Sequence, residues 1–190
     1  MSLHIGVLGS TRGTALQGVI DAIADGTLDA RIMLVLSDRA AAPILQRAAD
    51  NGIQAAFINP SGLTRTIYDE VVTSALHKAD VQVVLMVGYM RIVSAVFIDA
   101  WRGRLLNVHP SLLPAFGGLM NKSVHEAVLA SGATETGCTI HHVTEQVDGG
   151  PIVLQKRCAV LPGDTVEALK DRVQALERTA FVEVLRGWKA

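Results

Sequence analysis

Val83-Val84-Leu85-Met86-Val87 sets five apolar residues in a row, with no polar position to face water. A strand of that kind must be covered on both faces, as strands are in a parallel sheet sandwiched between helices. Ile5-Gly6-Val7-Leu8, Ile32 to Leu36, Ala55 to Ile58 and Leu105 to Val108 read the same way. Helical patterns separate them. Leu16, Val19, Ile20 and Ile23 fall at i, i+3, i+4 and i+7, and the pattern stops at Gly26. A second helix runs from Pro43 to Asn51 and ends at Gly52. A third, Thr64 to Lys78, is expected to turn Ile67, Val71 and Ala75 inward, and a short one covers Ser94 to Trp101. Crossovers between parallel strands are right-handed. The expected class is therefore α/β: a doubly wound, mostly parallel, Rossmann-like sheet with helices on both faces.

The last third changes character. Pro110 to Met120 is a loop punctuated by Pro and Gly, and a helix from Ser123 to Ala130 stops before Gly132. Cys138 to Val143 and Ile152 to Val160 are β-like and flank a long loop, Thr144 to Pro151, which predicts an antiparallel C-terminal hairpin. Asp164-x-x-Glu167 reads as a capping box. It opens a final helix with Val166, Leu169, Val173, Leu176 and Ala180 at core spacing. No repeat, low-complexity tract or linker interrupts the chain, so residues 1–190 are expected to form a single domain.

Charge narrows the function. Seventeen Lys and Arg against 18 Asp and Glu leave a net charge of −1, without the basic excess that displaces counterions from a polyanion. At 49% hydrophobic and 18% charged residues, the chain is not disordered. Its longest apolar runs fall far short of the roughly 18 residues that span a bilayer. Met1-Ser2-Leu3-His4 carries no basic leader region. A cytoplasmic protein of small-molecule partners is expected, with no nucleic acid and no membrane. Cys138 and Cys158 lack metal spacing and read as small buried residues. They are equidistant from Asp148, so a hairpin turning there would set them opposite one another, although a reducing compartment disfavours a bridge.

In an open α/β sheet, ligands bind beyond the carboxyl ends of the strands. Four segments are placed there: Gly9 to Ala15, Gly88 to Arg91, Asn107 to Pro110, and the loop that holds Asp148. The first is a glycine-rich turn into a helix, whose free amides suit a phosphate. It is neither a dinucleotide fingerprint nor a Walker loop, and a plain tight turn accounts for it equally well. Asn107 and His109 stand two apart, so both side chains share one side of the sheet. An amide donor and a titratable ring can together hold an oxyanion and move a proton. A satisfied polar strand end is the alternative for that pair, and a plain turn residue is the alternative for Asp148. A carboxylate beside His109 is expected to favour imidazolium. His141 and His142 alternate faces, so at most one looks into a site. No set of residues has metal-ligand spacing, and no metal is expected.

Asn107-Val108-His109-Pro110-Ser111-Leu112-Leu113-Pro114 followed by Val147-Asp148-Gly149-Gly150-Pro151 resembles the signature of the folate-dependent formyltransferases. The resemblance extends over almost the whole chain, through Gly88-Tyr89-Met90-Arg91-Ile92, Gly103 to Leu106 and Thr136 to His141. It implies 10-formyltetrahydrofolate as cosubstrate and Asn107, His109 and Asp148 as the catalytic trio. The early turn and the length imply an acceptor that carries a phosphate, the amine of phosphoribosylglycinamide, in purine synthesis. Gly13, Thr14 and Ala15 match the phosphate turn, and Gln174 and Glu177 match a second substrate segment, with Glu177 on the ribose. Arg65, Met90, Arg91, Ile92, Val93 and Asn107, with Thr144, Glu145, Gln146, Val147 and Asp148, match the folate-binding positions. A monomer or homodimer is implied. Two departures stand out: Ala15 replaces the usual Asn or Asp, and Gly117 to Val124 differs from the commoner Pro-Gly-x-x-x-His form. A formyltetrahydrofolate hydrolase, a methionyl-tRNA formyltransferase and a non-catalytic nucleotide-binding module are the rival readings. The first two resemble longer chains with a further domain.

Overall fold

The computed structural model describes residues 2–120 and 122–188; Met1, Asn121 (within the departing 117–124 stretch), Lys189 and Ala190 lie outside the described residues. The elements are β1 (Leu3–Leu8), α1 (Thr14–Ala24), β2 (Ala30–Ser37), α2 (Pro43–Asp50), β3 (Ala55–Phe57), α3 (Arg65–Lys78) and β4 (Val83–Met86). There follow α4 (Ala95–Ala100), β5 (Leu105–His109), α5 (Lys122–Ala130), β6 (Glu135–His142), β7 (Ile152–Ala159) and α6 (Val166–Arg186). Seven strands form one sheet in the order β3-β2-β1-β4-β5-β6-β7. The first five pair in parallel, and β6 and β7 join antiparallel. The α/β fold, doubly wound and mostly parallel with its antiparallel hairpin, is as the sequence predicts. Strand order reverses between β1 and β4, and the crevice outside such a reversal is where this architecture binds ligands.

The unbroken apolar strands are buried on both sides. Ile5, Val7, Val35, Leu106 and Val108 pack with Leu16, Val19, Val173 and Phe181, under α1 and α6. Leu8, Leu34, Val84, Met86 and Leu105 pack with Tyr68, Leu76, Phe97 and Trp101, under α3 and α4. Helix α1 begins at Gly13 in the left-handed region, with φ 59°, and no side chain caps it. That conformation favours glycine, and an added Cβ would also meet Ile44 at 2.5 Å.

Three expectations are corrected. Ile67 and Val71 lie outward, 47% and 43% exposed, while Tyr68, Asp69, Val72 and Leu76 are buried. Two neighbouring i, i+4, i+8 rows on α3 are apolar, and the one carrying the larger ring fills the space against Phe97 and Trp101. Asp69 is tolerated inside because its carboxylate accepts the Ser94 N–H at 2.6 Å. Helix α6 is capped by Thr165, whose hydroxyl accepts the Ala168 N–H at 3.1 Å, and not by Asp164. Arg172 holds the Asp164 carboxylate with two bonds of 2.6 and 2.9 Å, and the Leu161 N–H adds a third. That charge-assisted fork outcompetes a capping role. Lastly, Cys138 pairs with Lys156 and Cys158 with Thr136, so the cysteines are offset by two positions and both are free.

Close approach of α1 to α6 depends on Gly18. A Cβ there would lie 2.1 Å from the Arg178 carbonyl oxygen, which a packed helix cannot yield. At an exposed helical site Gly→Ala stabilises by about 1 kcal/mol. Here Gly18→Ala is expected to destabilise by about 1–3 kcal/mol, a Tm lower by several degrees in thermal unfolding. An unchanged or raised Tm would show that the two helices can separate without loss.

Candidate active site

A cleft opens at the carboxyl ends of β1, β4 and β5. Thr11, Gly13 and Thr14 line it from the turn after β1, Asn107 to Pro110 from the end of β5, and Lys170, Gln174 and Glu177 from α6. Met90 to Val93 and the loop 143–148 close the other side. Of the residues expected in the site, Ala15 is buried behind the turn, 1% exposed, and Arg65 is exposed at the start of α3, outside the lining. The remainder meet in this one cleft.

The turn after β1 is locked to its neighbours. Ser10 donates to Asp38 Oδ1 at 2.5 Å and accepts the Met90 N–H at 2.8 Å, tying β1 to the segment after β4. Gly88, with φ 61°, lets that segment pass Thr11, because a Cβ would stand 2.3 Å from the Thr11 hydroxyl. The start of α1 therefore faces the cleft with its first amides free of any side-chain cap.

Asn107 and His109 share the odd-numbered face of β5, and His141 lies directly opposite Asn107 on β6. Asp148 reaches this face by a route the sequence did not announce. Strand β6 runs antiparallel to β5, so its carboxyl end lies beside Leu106, at the far end of β5 from His109. The loop after β6 doubles back over the sheet face, and Asp148 turns there with φ 53°. Its Oδ2 lies 3.2 Å from His109 Nδ1 and accepts the Gly118 N–H at 2.9 Å, while Oδ1 lies 3.5 Å from His141 Nε2. The carboxylate side chain is 11% exposed and the two rings are 5% and 3% exposed.

The partners constrain the tautomers. His109 stands between two groups that only accept, the Phe116 carbonyl 3.2 Å from Nε2 and the Asp148 carboxylate 3.2 Å from Nδ1, so a neutral ring donates to only one of them at a time. His141 Nδ1 donates to the His142 carbonyl at 3.0 Å, because a carbonyl only accepts. His141 Nε2 stands 3.1 Å from the Asn107 amide nitrogen and 3.5 Å from Asp148 Oδ1, so the ring bridges the two side chains. His141 is the residue missing from the expected set. Its register opposite Asn107 would have placed it there, but no register was readable from one strand.

The electrostatics correct one expectation. Burial pushes His109 below its ordinary value, although the Asp148 carboxylate and the Phe116 carbonyl pull the other way. Burial thus opposes the imidazolium that the two acceptors around the ring favour. Burial likewise opposes ionisation of Asp148, but His141, the Gly118 N–H and His109 hold it below the ordinary carboxylate range. Glu177, 8% exposed on α6, is pushed up by burial to about 7. Among the described residues no group of three or more His, Cys, Asp or Glu could hold a metal ion, and no helix is long and apolar enough to cross a membrane.

The chain that builds this cleft has relatives. Residues 3–185 match the family model described as formyl transferase. The trifunctional purine biosynthetic protein adenosine-3 of Drosophila pseudoobscura pseudoobscura is 43% identical over 96% of this chain, which spans only 13% of that protein's length. The phosphoribosylglycinamide formyltransferase of Escherichia coli (strain K12) is 36% identical over 99% of this chain and 87% of its own. The crystal structure of glycinamide ribonucleotide transformylase 1 from Symbiobacterium toebii superposes with a TM-score of 0.92, at 41% identity over 97% of this chain and 86% of that one. In sequence from one end to the other, and in the fold that assembles the cleft, the chain belongs to the formyl transferase family.

Proposed function

We propose that this chain transfers the formyl group of 10-formyltetrahydrofolate to the amine of phosphoribosylglycinamide, as a cytoplasmic enzyme, monomer or homodimer, of purine synthesis. One observation carries the reading: a single cleft runs from the uncapped start of α1 to the Asn107–His109–Asp148 cluster. A phosphorylated acceptor needs both ends. Amides of Gly13, Thr14 and Ala15 receive the phosphate, with the helix dipole behind them; Ala15 contributes backbone alone. Gln174 and Glu177 take the ribose hydroxyls. The folate lies against the apolar wall of Met90, Ile92 and Val93 and under the polar segment Thr144 to Val147, a slot suited to a flat bicyclic ring with polar edges. Arg91 stacks on Tyr68 at 4.3 Å, and its buried Nε has no hydrogen-bond partner among the described residues, so it is free to meet the folate's polar groups. Arg65 is left for the distal carboxylates.

The chemistry is a direct displacement. The acceptor nitrogen bonds to the formyl carbon, the carbonyl electrons move onto oxygen, and the second Asn107 N–H meets the growing charge. Such donors contribute about 3 kcal/mol to the barrier. His109 enters neutral and takes up the proton that the attacking amine releases past Asp148. As imidazolium it then has an acceptor at each nitrogen, Asp148 on one side and Phe116 on the other. The proton passes to the departing folate nitrogen as the carbon–nitrogen bond breaks. No covalent enzyme intermediate is required.

Three outcomes test this. Supplied with 10-formyltetrahydrofolate, the protein should release tetrahydrofolate only when phosphoribosylglycinamide is present; equal turnover with water alone would mean hydrolysis. Asn107→Ala and Asp148→Asn should each lower kcat by about 100-fold or more, with both KM values within a few-fold. Glu177 should impose a pH dependence on acceptor binding. With a pKa of about 7 it is about one-tenth ionised at pH 6 and nine-tenths at pH 8, and only the carboxylate accepts from both hydroxyls. Acceptor KM should therefore fall several-fold from pH 6 to 8. In Glu177→Gln that fall should shrink to the part due to the substrate phosphate; an identical profile would remove Glu177 from the acceptor site.

A further inference from the structure

His125 is a buried polar side chain in the cleft wall that the chemistry above does not use. It stands on α5 beside buried Val124 and Val128 and is 2% exposed. Its Nδ1 is buried and has no hydrogen-bond partner among the described residues. Folded proteins keep such an atom unpaired at a cost in stability, so its presence in a ligand cleft points to a partner that arrives with the ligand. Helix α5 lies against α6, where Lys122 Nζ stands 3.4 Å from Glu167, so His125 is on the α6 side of the cleft. His109, at the reaction centre, and Lys170, one turn before Gln174 on α6, both bear on its charge and, with burial foremost, push its pKa down to about 4. The ring is therefore neutral at any working pH, one nitrogen donating and the other accepting.

His109, His125, Gln174 and Glu177 line one cleft, so an acceptor held between His109 and Glu177 shares its walls with this ring. Between its reacting amine and its ribose, phosphoribosylglycinamide carries one polar group, a secondary amide with a single donor and a single acceptor. We propose that His125 is a specificity-determining residue for the acceptor: its neutral ring hydrogen-bonds that amide and selects substrates that carry it. The inference rests on the acceptor reading given above. A charged side chain at this position would bind the uncharged amide no better and would meet the neighbouring charge of Lys170.

The test pairs two acceptors with two proteins. One acceptor is phosphoribosylglycinamide, and the other is an isostere with methylenes in place of the amide carbonyl and N–H. The native protein should prefer the amide acceptor by at least about tenfold in kcat/KM. His125→Phe should lose about tenfold on the amide acceptor, keep its folate KM within twofold, and no longer distinguish the two acceptors. His125→Asn, with one donor and one acceptor of shorter reach, should regain part of the preference. If His125→Phe discriminates as the native protein does, or the native protein turns over both acceptors equally, the proposal falls while the acceptor reading stands. No turnover of phosphoribosylglycinamide by the native protein overturns both. Should the phenylalanine variant fail to fold, ring nitrogen resonances of native His125 decide. They should move on adding phosphoribosylglycinamide and not on adding the isostere, and no movement with either overturns the proposal.

Discussion

A single carboxylate, folded back over a sheet face, organises the site. Asp148 touches His109 on one oxygen and His141 on the other, and the Gly118 N–H anchors it from the loop opposite. Removing it would leave two buried rings and a loop amide without their common partner. Its position depends on the antiparallel turn of β6. Were β6 parallel to β5, the loop after it would leave from the same edge as His109 and need not cross the sheet. Because β6 runs the other way, the loop begins beside Leu106 and must return across Asn107 to reach His109. Gly150 allows that return, since a Cβ there would stand 1.8 Å from the His142 carbonyl oxygen.

The same buried setting decides protonation. In water a carboxylate beside a histidine raises its pKa, and the sequence leads to that expectation. In the cleft, loss of water around a buried ring outweighs the attraction of Asp148 and the Phe116 carbonyl. A neutral ring with two acceptors around it is poised to gain a proton when the reaction supplies one. That is more useful to a displacement that must remove a proton from its nucleophile than a ring already charged.

What the sequence discloses has a physical pattern. Apolar runs such as Val83 to Val87 and the alternation of strand and helix carry the parallel fold, because burial on both faces leaves no other arrangement. The turn at Gly13 and the pair Asn107 and His109 are local features: spacing places them at strand ends, and the resemblance to a family gives them roles. Features set by the packing of distant segments are not. Which of two apolar rows on α3 turns inward depends on the room beside Trp101, and the cap of α6 on Arg172 reaching Asp164. Register between β5 and β6 decides that His141 joins the site and that Cys138 and Cys158 miss one another. His125 is hidden for a different reason: a lone histidine in an amphipathic helix looks the same whether it fills a core or waits for a ligand.

The balance at His109 is open to direct measurement. Ring nitrogen resonances of the unliganded protein, followed from pH 4 to 9, give its protonation midpoint in the native chain and in Asp148→Asn. The account predicts a midpoint below the ordinary 6.5 in the native protein, and a lower one still when the carboxylate that partly offsets burial is replaced. A native midpoint above 6.5, or one that Asp148→Asn leaves unmoved, would contradict it.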